Sequence, residues 1–173
     1  LLSDYQLADR LVTCAEFLEF IQDGGYQTPT LWLSLGWHAV QQGGWRAPLY
    51  WTNCDEQWHE FTLHGLVPIE PSAPVCHVSY FEADAFARWA ACRLPTEYEW
   101  ELAASSQPIV GNFAERRLLQ PVAAGAVAGD ASVPADNATD CPIPRQLFGD
   151  VWEWTSSAYS PYPGYRVTAG ALG

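Results

Sequence analysis

The chain has 173 residues, of which 49% are apolar and 16% charged, and its net charge is −12. That length suits one domain with a sizeable core. Twenty acidic residues stand against eight arginines and no lysine, which excludes a nucleic-acid partner, because binding phosphate needs a basic face. No run approaches the roughly 20 consecutive apolar residues of a membrane span, and no leader of basic, apolar and small residues opens the chain, so no membrane partner is expected.

Helix-start signals organise the first half. Thr13 to Glu16 is a capping box opening a helix through Phe17, Leu18, Phe20 and Ile21, with Gly24-Gly25 as its stop. Pro29 to Gln42 reads as a second helix ended by Gly43-Gly44. Leu49-Tyr50-Trp51 and Trp58 to Leu63 read as two strands around a polar turn, and Val75 to Val78 as a third. Ser79 to Glu82 caps a helix that sets Phe81, Ala85 and Trp89 on one face. Thr96 to Glu99 caps a short one through Trp100, Leu102 and Ala103.

From Ser105 to Pro144 the chain is rich in Ala, Gly, Pro and Ser, and a long irregular loop is expected. Gly149 to Thr155 returns to strand character, and Ser160 to Tyr165 forms turns. No internal repeat stands out. The fold class is α+β, with aromatic residues carrying much of the packing.

Candidate chemistry is sparse. His38, His59, His64 and His77 make no metal-ligand cluster, and His59 and His64 would lie on opposite faces of a strand. Cys14, Cys54, Cys76, Cys92 and Cys141 are odd in number and widely spaced. They argue against a disulfide scaffold or a structural zinc site and fit a reducing, cytoplasmic setting. Cys76 beside His77 reads as core packing, and Glu97, Glu99 and Glu101 as capping and helix-dipole partners. Tyr159, Tyr162 and Tyr165, in a turn restrained by Pro and Gly, either line a cleft or pack against the domain. The chain contains no Met, and we read it as a piece of a longer polypeptide.

Three ordered segments carry a resemblance: Pro74 to Ala90, Arg93 to Glu101 (R-L-P-T-E-Y-E-W-E) and Leu147 to Thr155 (L-F-G-D-V-W-E-W-T). They resemble the signatures of the sulfatase-modifying-factor family, the formylglycine-generating-enzyme fold, distantly like C-type lectins. The resemblance implies few helices, short antiparallel strands and long loops. Leu7 to Thr13, Gly24 to Tyr26, Gly44 to Trp51 and Ser157 to Tyr165 resemble the branch fused to a DinB-like helical domain in ergothioneine-forming sulfoxide synthases. That implies an O2-dependent nonheme iron(II) enzyme joining a thiol, cysteine or γ-glutamylcysteine, to trimethylhistidine as a sulfoxide.

On this reading residues 1–173 form a single, incomplete domain, catalytically silent alone. The iron would be held by the DinB-like domain, with no iron ligand in this chain. The family's closing R-G-G-S and G-F-R segments would follow Gly173. Trp152 matches a tryptophan beside the family's cleft, although packing would explain it as well, and Tyr159 and Tyr162 join it as cleft candidates. Related structures bind calcium at positions matching Asn112, Phe113, Gly149, Val151 and Glu153, but Gln146 stands where the second site has Asn. The alternatives are a protein-cysteine-modifying enzyme of the formylglycine-generating kind and a non-catalytic binding domain.

Overall fold

The computed structural model describes residues 2–126 and 144–170. Helix α1 (Cys14–Gln22) starts at the Thr13 capping box, and Gly24 in the left-handed region (φ 78°) turns the chain out of it. A 3-10 turn (Gly25–Gln27) follows. The helix expected over Pro29 to Gln42 is broken into a 3-10 turn (Pro29–Leu31) and α2 (Ser34–Gly43). Trp32 breaks it. Its extended backbone drops the indole into the core, where Nε1 donates to the Gly25 carbonyl at 2.8 Å.

The sheet also differs from expectation. Strands β1 (Trp51–Cys54), β2 (Gln57–Thr62) and β3 (Gly65–Pro68) form an antiparallel meander in the order β1-β2-β3. Asp55 and Glu56, both left-handed (φ 51° and 64°), make a two-residue turn, and this carries β1 three residues beyond its expected end and into the polar stretch. The third strand was not expected, since Gly65 to Pro68 is short and half exposed. His64 lies in the turn after β2, where its amide bonds Thr62 Oγ1, and is not in the strand with His59.

Two other expected strands are absent. Val75 to Val78 keeps one bridge nearby, Thr13 to Pro74, and left-handed His77 (φ 59°) ends any extension. Gly149 to Thr155 keeps only the parallel bridge of Asn112 to Gly149. Gly149 and Asp150 are both left-handed (φ 83° and 52°), which no strand tolerates.

Helices α3 (Tyr80–Trp89) and α4 (Glu97–Ala104) start at the two remaining capping boxes. A short motif recurs at α1 and α4: Arg10-Leu11-Val12-Thr13-Cys14-Ala15-Glu16 and Arg93-Leu94-Pro95-Thr96-Glu97-Tyr98-Glu99. Each arginine grips the capping glutamate with two N–H bonds of 2.7–2.9 Å and gives another to the carbonyl of the next leucine. Charge-assisted, two-pronged bonds of this kind fix the direction in which a helix starts. The repetition was legible in the sequence and was missed there.

The core is aromatic. Phe17 and Phe20 of α1 are fully buried among Tyr26, Trp32, Phe86 and Trp89, with ring centroids 5.2–6.5 Å apart in several pairs. Glu82 is buried with them. It accepts from the Ser79 amide and from the Tyr26 hydroxyl at 2.5 Å, tying α3 to the turn after α1. This core is the platform on which the rest of the chain is laid.

Candidate functional site

Against that platform, residues 152–165 form an irregular strap with few contacts. Trp154 anchors one end: its Nε1 donates to the Val78 carbonyl at 3.0 Å and its ring meets Tyr80 edge-on. Ser156 donates its amide to the Pro95 carbonyl at 2.7 Å, and Ser157 Oγ accepts from the Glu97 amide at the start of α4. Further along, Tyr162 Oη donates to the Glu101 carboxylate at 2.6 Å while its ring sits edge-on to Tyr98.

Between and beside these anchors, Trp152 and Tyr159 are fully exposed. Packing therefore does not account for Trp152. The structure brings Tyr162 to α4 but places neither Trp152 nor Tyr159 against it.

The hydrogen bond to Glu101 pushes the Tyr162 hydroxyl up to about 12, because removing its proton would set two negative charges together. Tyr98, Glu101, Leu102 and Ser105 of the α4 region, with Leu2, line an open hollow of about 570 Å³ beside this pair. Glu101 thus serves the strap, not the helix dipole alone. Of the three acids expected only to support the helix, Glu99 does so: its bond with Arg93, aided by the Thr96 amide, lowers it to about 2.

A second cluster lies where residues 111–122 meet 146–151. Two glycines allow the contact: a Cβ at Gly111 would sit 1.9 Å from the Phe148 carbonyl oxygen, and one at Gly149 would sit 2.6 Å from the Asn112 amide nitrogen. Asp150 is the hub. Its Oδ1 accepts from Asn112 Nδ2 at 2.9 Å and from the Val122 amide at 3.0 Å, and its Oδ2 accepts from Gln146 Nε2 at 3.2 Å. Nothing in the sequence singled out Asp150, since its partners lie 28 and 38 residues away and, in Gln146, on a buried residue.

Of the positions where calcium was expected, Asn112 and Gly149 meet here. Asn112, however, turns its nitrogen inward, and so does Gln146, whose Nε2 also donates to the Val122 carbonyl at 2.9 Å. Calcium takes oxygen ligands. Asn112 of the first expected site and Gln146 of the second therefore present nitrogen where the ion needs oxygen.

Phe113 begins a short 3-10 turn (Ala114–Arg116) and is partly exposed. Glu153 is half buried, and burial raises its carboxyl to about 7. The Trp100 indole lies close enough to oppose that rise but out of hydrogen-bond geometry, so its buried N–H has no such partner among the described residues.

The other candidates are quiet. Burial pushes the Cys76 thiol up to about 11 and Cys14 up to about 12, so neither supplies a thiolate near neutral pH. His77 is exposed and packs edge-on against Tyr50. Among the described residues no three His, Cys, Asp or Glu side chains gather as a metal would require. Cys141 and residues 127–143 of the long loop lie outside the described residues.

The profile of the sulfatase-modifying factor enzyme 1-like domain matches residues 1–172. The chain belongs to that family. Within it, the chain is 44% identical over 164 residues to the hercynine oxygenase of Mycolicibacterium smegmatis, a match covering 89% of this chain and 37% of that protein. It is 37% identical over 172 residues to the hercynine oxygenase of Mycobacterium tuberculosis, covering 89% and 38%. The formylglycine-generating enzyme of Streptomyces coelicolor is 33% identical over 107 residues, covering 53% and 34%.

The chain thus spans little more than a third of the hercynine oxygenases it matches. Membership fits the α+β architecture, its four α-helices and its one short antiparallel sheet among the described residues. No helix among them is long and apolar enough to cross a membrane.

Proposed function

We propose that this chain is part of a nonheme iron(II), O2-dependent sulfoxide synthase of ergothioneine biosynthesis, which joins cysteine or γ-glutamylcysteine to trimethylhistidine. The observation that carries this reading is the 37–44% identity, over 89% of the chain, to proteins named hercynine oxygenase. Formylglycine-generating enzymes match less well and over less of the chain in the Streptomyces coelicolor case.

In this reading iron is held by another part of the polypeptide, a DinB-like domain, where it would supply the oxygen-activating chemistry, and no three His, Cys, Asp or Glu side chains gather among the residues described here. This chain contributes a wall. Trp152 and Tyr159 stand out from an anchored strap, free to meet substrate or the neighbouring domain. Tyr162 keeps its proton and holds the strap to α4 through Glu101. We place the protein in the cytoplasm: the four cysteines within the described residues are free thiols, as a reducing compartment would keep them.

The test is an assay of the intact protein with iron(II), oxygen, trimethylhistidine and each thiol in turn, with products read by mass spectrometry. A sulfoxide-linked adduct with either thiol supports the reading and identifies the donor. Folded, iron-loaded protein giving no adduct with either would sink it and turn attention to protein-cysteine modification.

A further inference from the structure

Where the family resemblance leads one to expect a cation, this chain has placed an anion of its own. The acceptors around Asn112 and Gln146 leave no choice of amide orientation. Gln120 and Val122 present carbonyl oxygens, and Asp150 presents both carboxylate oxygens. Turning either amide over would set oxygen against oxygen and forfeit two hydrogen bonds each. The two side-chain nitrogens and the Val122 amide therefore converge on one carboxylate, which is satisfied without a metal.

We propose that the Asp150 carboxylate takes the place of a bound cation at this junction, fastening residues 111–122 to the turn at 146–151 without a metal ion. A hard cation wants about six to eight oxygen ligands. At this junction it would meet N–H groups from Asn112, Val122 and Gln146. Gln146 is buried and left-handed (φ 61°), and it reaches both Val122 and Asp150 from a position where the family's site has the shorter Asn. An asparagine at 150 would fail to replace the aspartate, because its NH2 group would face another N–H.

The intact protein provides the test, with two readouts that do not depend on activity. Calcium content is measured after gel filtration, and limited proteolysis of residues 111–126 is mapped by mass spectrometry with and without millimolar calcium. The wild-type protein is expected to retain no calcium and to be cut at the same rate in both conditions. Asp150→Asn is expected to be cut in 111–126 roughly tenfold faster or more, as losing hydrogen bonds to a charged group loosens a segment locally. Added calcium is expected not to slow that cutting.

Stoichiometric calcium that survives gel filtration and protects 111–126 would overturn the proposal. So would an Asp150→Asn protein cut at the wild-type rate. If that variant does not fold, the calcium content and protection of the wild-type protein still decide.

Discussion

Aromatic residues do opposite work at the two ends of this chain. Around α1 and α3, Phe17, Phe20, Tyr26 and Trp32 are buried in one cluster of edge-on and tilted rings. In the strap, Trp152 and Tyr159 are fully exposed, and Trp154, Tyr162 and Tyr165 are about half exposed. The same residue types serve as core in one place and as uncovered surface in the other. The difference is anchorage: Phe17 and Phe20 sit on a helix whose start is fixed by its own hydrogen bonds, and α3, which packs against it, starts the same way, while the strap is held at a few polar points.

The most direct way to break this contrast is Phe20→Ala. The side chain is fully buried against five aromatic rings, and its removal should cost about 3–5 kcal/mol, read from urea unfolding. A loss below about 1 kcal/mol would mean that the cluster collapses around the gap and is less tightly fitted than it looks. Next comes Glu82→Gln, which keeps the shape but removes the charge that accepts from Tyr26 and Ser79. A loss of about 1.5–3 kcal/mol is expected in the same measurement.

Acid should loosen the helix starts before it touches the aromatic cluster. Glu16 and Glu99 are both held down to about 2, chiefly by their arginines. A carboxylate lowered on folding stabilises above its unfolded value, near 4.5, and that contribution drains away as pH falls toward 2. Stability should therefore drop between those limits. Glu16→Gln should flatten the slope, and added salt should shrink the effect because Glu16 is partly exposed.

The smallest expected change in stability sharpens the contrast most. Trp152→Ala and Tyr159→Phe should each move unfolding by less than about 0.5 kcal/mol. If the strap is a substrate wall, Trp152→Ala should still lower turnover of the intact protein.

Much of the core was legible because its signals are local. Capping boxes, helical spacing and glycine stops each span a few residues, and all three boxes form as the sequence indicates. The strand assignments fared worse where positive φ angles at non-glycine residues intervened: Asp55 and Glu56 tightened a turn, His77 ended an extension, and Asp150 curled a segment that reads as apolar strand. Asp and His adopt such angles more readily than most residues, but the sequence does not mark which of them will, because the surrounding contacts impose the angle. The Asp150 junction was invisible for the same reason. The exposure of Trp152 could not be read either, since an apolar residue in a short run looks alike whether it faces a core or a cleft.

The paired motif at α1 and α4 has a consequence for how this chain can vary. Each stretch of Arg-Leu-x-Thr-x-x-Glu closes on itself within seven residues, so the cap of its helix is assembled locally, and it is the first helical amides, of Cys14, Ala15 and Glu97, that reach distant partners at Ala73, Pro71 and Ser157. Connecting segments can then lengthen, shorten or change composition without the helices losing their bearings. The two clasps act like survey pegs: the ground between them can be rebuilt while the corners stay where they were set.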